Sequence, residues 1–199
     1  MRFLLLILSM WVVNVAAQQA DDWPRRFYAA SFLYQGESKT TELQNLISEL
    51  NTQLKGDAAA DSLLTGWRGV TKVELASQLQ GADKLKMLKQ ARQDLCMALD
   101  AEQFQDVFAA YLAALYDNAP GWPISFGNED KARQLFDYAA LHQPGPVYYY
   151  LYGMYLLNHQ QFRAAEAEFM QLAQHSGEIP SNVLLALRQR GQLAMINNQ

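Results

Sequence analysis

From residue 40 onward the apolar positions recur with the period of an α-helix. Leu43, Leu46, Ile47, Leu50 and Leu54 are spaced by threes and fours, which puts them on one helical face. Gly56-Asp57 ends that stretch, and Leu63, Leu64, Trp67 and Val70 mark a second helix over 61–79. Gly81-Ala82-Asp83 is the next break, with Asp83 placed to cap a helix over 84–99. The same periodicity predicts helices over 102–117, 129–142, 147–159, 161–175 and 181–196. No segment shows the strict alternation of a half-buried strand, and the Pro and Gly breakers fall between the helical blocks. The expected fold class is all-α. Residues 18–39 carry Trp23, Phe27, Tyr28, Phe32 and Tyr34 and read as an N-terminal arm, either extended or a short helix packed on the body.

Three of these helices share an internal spacing. A small residue is followed four positions on by an apolar one, and three later by another: Ala91/Leu95/Ala98, Ala132/Phe136/Ala139 and Ala165/Phe169/Leu172. In a tetratricopeptide-like unit the small residue lets two antiparallel helices approach closely. The large one fills the wedge between neighbouring pairs, and the third contacts the pair that follows. Gly153, twelve residues before Ala165, fits the first helix of such a pair, and Pro144 stops the preceding helix after Ala139. The reading is a short α-solenoid of about three helix pairs over 40–199, with a C-terminal capping helix from Ser181 to Asn197.

The first residues change the expected compartment. Met1-Arg2 supplies one positive charge, Phe3–Val15 is almost wholly apolar, and Val15-Ala16-Ala17 supplies small residues before Gln18. That order describes a cleavable signal peptide over 1–17, with cleavage near Ala17 and export to a periplasm. The apolar run, about 13 residues, is shorter than the roughly 20 needed to span a bilayer, so no stable membrane insertion is expected after cleavage. Cys96 is the only cysteine, so there is neither a lipid attachment site behind the signal nor an internal disulfide. Stability must come from a packed core, and 50% hydrophobic residues suffice for one. A net charge of −4 without a basic run argues against nucleic acid and against anionic lipid surfaces.

One stretch resembles a known family. Residues 112–139 contain Leu-Tyr-Asp-Asn-Ala-Pro-Gly-Trp-Pro-Ile-Ser-Phe-Gly-Asn, a loop similar to the Ala-Pro-Gly-Trp-Pro-x-Ser-Phe-Gly loop of exported bacterial tetratricopeptide-repeat proteins. Trp67-Arg68-Gly69, Lys89–Leu95 and Tyr148–Gly153 add to the likeness, which covers roughly residues 60–175. Within that group the chain resembles the T component associated with tripartite ATP-independent periplasmic transporters. The resemblance implies a helical-repeat fold and a companion role in substrate import. Two features depart from it: Ala113 stands where the group has glycine, and the lipoprotein cysteine is missing.

In this loop Pro120 and Pro123 deny helix continuation, and Gly121 and Gly127 permit tight turns. Compared with an ordinary unit it inserts about seven residues at the turn. Trp122, Ile124 and Phe126 are apolar enough to be expected to fold back onto the body, either shaping a ligand site or plugging a gap between helix pairs. Asn128 is placed to cap the next helix, with Glu129 and Asp130 favourable at its N-terminus.

Candidate chemistry is sparse. His142, His159 and His175 show no carboxylate at metal-ligand spacing and read as helix-end residues. Cys96, after the wedge residue Leu95, reads as a buried thiol. No phosphate-cradling loop or nucleophile motif is present, so neither catalysis nor a cofactor or metal is expected. Binding has more to stand on. Tyr148, Tyr152 and Tyr155 share one helical face, with Tyr152 expected in the core. Tyr148, Tyr150, Met154 and Leu157, with Val107, Ala110, Ala114 and Asp117, are expected along a concave apolar groove. Together with Trp122 and Phe126 they are the candidate contacts for a protein or peptide partner in the cell envelope, or alternatively for a hydrophobic small ligand.

Overall fold

The computed structural model describes residues 22–54, 58–101, 103–177 and 179–198. The signal peptide expected over 1–17 lies outside the described residues, as does the Gly56-Asp57 break. Among the described residues the chain is all-helical: α1 Asp22–Phe32, α2 Gly36–Gln53, α3 Ala58–Ala76, α4 Gly81–Ala98, α5 Gln105–Asn118, α6 Glu129–Ala140, α7 Pro146–Asn158, α8 Phe162–Gln174 and α9 Ser181–Asn197. None of them is long and apolar enough to cross a membrane.

Helices α3/α4, α5/α6 and α7/α8 pack as pairs, and α3, α5, α7 and α9 follow one another along an inner layer. This is a short helical solenoid. The residues of the shared spacing make the contacts between its parts. Ala91, Leu95, Ala98, Ala132, Phe136, Ala139, Ala165, Phe169 and Leu172 are all buried. A Cβ added at Gly69 would lie 2.8 Å from Leu95 Cγ, and one added at Gly153 would lie 2.6 Å from Phe169 Cε1. Each pair thus sets a large side chain against a helix that has none at the point of contact, which is what lets the backbones come close. Phe169 is also met by Gly191, where an added Cβ would lie 2.8 Å from its Cδ1, so this ring ties α8 to both α7 and α9. In the middle pair Ala113 of α5 is fully buried. Helix α5 is buried on nearly every side, from Val107 to Ala113, and forms the centre of the molecule.

Three local expectations are corrected. Helix α4 starts at Gly81, whose φ of +58° only glycine adopts without strain, so Gln80 is its N-cap and Asp83 sits in the first turn. Cys96 is exposed, because the residues of that turn that face inward are Asp94, Leu95 and Ala98. The boundary expected at 40 moves forward, α2 beginning at Gly36, while residues 22–32 take the second of the two forms expected for 18–39, a short helix, α1, packed on the body. The N-cap Asn128 is as expected, its side chain accepting from Lys131 N at 2.9 Å.

Candidate functional site

The inner face of α3, α5 and α7 is where a groove was expected, and α1 lies across it. Phe27 meets Trp67 of α3 at 5.6 Å and Tyr111 of α5 at 5.7 Å between ring centroids. Tyr28 meets Trp67 edge-on at 5.8 Å, and Phe32 meets Tyr150 of α7 at 6.1 Å. Trp23, Phe27, Tyr28, Ala30, Ser31 and Phe32 are buried. The end of α1 is held by charge: Lys39 Nζ donates to Ser31 O at 3.0 Å, and Arg190 of α9 donates to Phe32 O at 3.1 Å. Cations at these carbonyls complement the negative end of the helix dipole. Lys39 is in turn paired with Glu74 at 2.8 Å, and Glu74 accepts from Tyr111 Oη at 3.1 Å. Burial, and then the neighbouring Glu74, push the Tyr111 hydroxyl well above its ordinary range.

This changes the account of the predicted groove residues. Tyr148, Leu157, Val107 and Ala110 are buried, while Tyr150, Met154, Ala114 and Asp117 are partly buried. Tyr148, Tyr152 and Tyr155 gather around Phe136, the last two with centroids 5.0 Å away, so their shared face is a seam between α6 and α7. Among the described residues, the chain's own aromatic N-terminal helix covers this face at Trp67, Tyr111 and Tyr150.

The loop between α5 and α6 divides in two. Phe126 folds back, edge-on to Tyr116 at 5.7 Å and under the Arg92 guanidinium at 4.6 Å. Trp122 and Ile124 do not: they are 88% and 68% exposed. Backbone bonds fix the loop between them, Gly127 N donating to Pro120 O at 2.9 Å and both Ile124 N and Ser125 N to Gly121 O at 3.1 Å. Its end is tied to the body where Asn128 N donates to Tyr116 O at 3.0 Å. The turn around Gly121 stands off the body, and that stand-off points Trp122 into solvent while its base is packed.

Two further features are polar. A cleft of about 680 Å³ opens between α1 and the starts of α5 and α7, lined by Tyr28, Phe104, Asp106, His142, Pro146 and Ile179 among others. Asp106 is already engaged there, accepting from Gly145 N at 3.1 Å. At the other end of these helices His159 joins two carboxylates, Asp117 at 2.7 Å and Glu129 at 3.4 Å. The sequence hid this cluster, since its members come from three helix ends far apart in the chain. It staples α5, α6 and α7 together, and His142 Nδ1 likewise meets Tyr138 O at 2.8 Å at the end of α6. Among the described residues no group of His, Cys, Asp and Glu is arranged to hold a metal ion.

No protein-family model, curated protein or solved structure matches the chain.

Proposed function

We propose that this protein is an exported, non-catalytic scaffold of the tetratricopeptide type that engages a protein partner in the cell envelope through the loop carrying Trp122. The observation that carries this reading is a tryptophan 88% exposed on a loop whose own backbone is hydrogen-bonded and whose base is packed. A rigid, protruding indole offers large contact area at little entropic cost, which is why such side chains anchor interfaces. Of the six candidate contact residues, Trp122 alone stands free. Phe126 orients the loop, and the four on α7 belong to the packing of the body.

The test is photocrosslinking in cells from a benzophenone side chain placed at Trp122, with the exposed Met170 as the control position. A discrete adduct from 122 and none from 170 is expected; identical adducts from both, or none from 122, count against the loop. Trp122→Ala should leave folding unchanged, because exposed side chains contribute within about 0.5 kcal/mol.

A second reading is a companion of a substrate-import system, and the cleft beside Tyr28 favours it, its volume falling within the range of small-molecule sites. Quenching of intrinsic fluorescence by an apolar probe, abolished by Ile179→Arg at the cleft wall with the helical signal unchanged, would support that role. Unchanged quenching in the variant would remove the cleft.

A further inference from the structure

Helix α9 occupies a first-of-pair position, beside α7 as α7 lies beside α5, but no second helix covers its outer side among the described residues. A capping helix ordinarily turns a polar face outward. This one interrupts that face with large apolar side chains: Leu185, Leu193 and Ile196 are 54%, 58% and 65% exposed. Val183, Leu184, Leu187 and Gly191 form the buried side, opposite them.

The outward stripe is ordered. Leu185, Gln189, Gln192 and Ile196 follow a four-three-four spacing, the seam of a two-helix coiled coil. Two copies of such a stripe laid antiparallel across a two-fold axis put Leu185 against Ile196 of the other copy and Gln189 against its Gln192. Apolar then meets apolar, twice. Amide meets amide, and each carboxamide both donates and accepts, so both partners are satisfied. An isologous interface requires this reciprocity, in which one residue meets a second and that second meets the first.

Charge points the same way. The helix carries only Arg188 and Arg190, and both turn inward, Arg188 to the carbonyls of Leu172 and His175 and Arg190 to that of Phe32. The outward stripe is therefore uncharged on a protein whose net charge is −4, so two copies can approach here without like charges meeting. We propose that the chain forms a homodimer through antiparallel packing of α9 on α9, each copy laying its helix over the uncovered side of the other's.

The seam from Leu185 to Ile196 is about 17 Å long at 1.5 Å per residue. So short a contact belongs with the weak, reversible interfaces at the small end of the size range. Sedimentation equilibrium on the protein purified from expression of the full chain tests it, with helical circular dichroism as the folding control. The expected result is reversible dimerisation that Leu185→Glu or Ile196→Lys alone weakens at least tenfold. The double variant Leu185→Glu/Ile196→Lys recovers it, because opposite charges then meet twice across the axis. A wild-type monomer at about 100 μM leaves this face to another chain and overturns the proposal. Single variants that dimerise normally overturn it as well. Loss in the singles without recovery in the double overturns the antiparallel register.

Discussion

Arg190 of the last helix donates to the main-chain carbonyl of Phe32 at the end of the first, 3.1 Å away across 158 residues of sequence. The same guanidinium lies over the Phe32 ring at 5.3 Å. The bond ties the last helix to the first and helps to close the C-terminus of α1. Lys39 makes the companion bond to Ser31 O, so two cations hold one helix end.

Replacing Arg190 by Met keeps the apolar stem and removes the charge. The two carbonyls then face a partly buried site with one donor fewer, and a hydrogen bond from a charged group contributes about 1.5–3 kcal/mol. Arg190→Met is expected to lower the urea midpoint by an amount of that size while the m-value stays constant. An unchanged midpoint would mean that α1 is held by its aromatic side chains and Lys39, without help from Arg190.

Gly153→Ala tests the close approach of α7 and α8. Alanine normally stabilises a helix interior relative to glycine by about 1 kcal/mol. Here the new methyl lies 2.6 Å from Phe169 Cε1, and the same ring is bounded on its other side by Gly191. Overpacking of this kind costs about 1–3 kcal/mol, so the variant is expected to be less stable despite its better propensity. Phe169→Leu in the same chain should recover part of the loss, which a double-mutant cycle of thermal melts would read as a favourable coupling.

The helices and the wedge residues were legible because a solenoid repeats one local solution, and Ala165, Phe169 and Gly153 keep their spacing whatever the loops do. Asn128 was legible for the same reason, since a cap acts within one turn. The site was not. Tyr150 does face inward, but what covers it is Phe32 of a helix more than a hundred residues earlier, and no periodicity encodes that contact. Residues 22–32 carry Trp23, Phe27, Tyr28 and Phe32 close together, too many large rings for a free arm, and that was the available signal. Trp122 misled in the opposite direction. Its apolarity argues for burial, whereas the hydrogen bonds around Gly121 hold the loop tip away from the body. The His159 cluster depends on three helix ends meeting, which only the packing of α5, α6 and α7 decides.

The buried tyrosines give the fold a definite response to alkali. Burial pushes the hydroxyls of Tyr111, Tyr148, Tyr150, Tyr152 and Tyr155 above their ordinary value, because the tyrosinate form would have to sit in the protein interior. In the unfolded chain these groups lose their protons near pH 10. Above that pH the unfolded state binds fewer protons than the folded one, and stability must fall as pH rises. Below it the two states are equally protonated and the tyrosine contribution is complete. The helical signal at 222 nm is therefore expected to hold to about pH 10 and then collapse, with tyrosinate absorbance at 295 nm rising in the same transition. Full tyrosinate absorbance with the helices intact would show that these rings reach water, and would undo the packing of α7 against α6 described above.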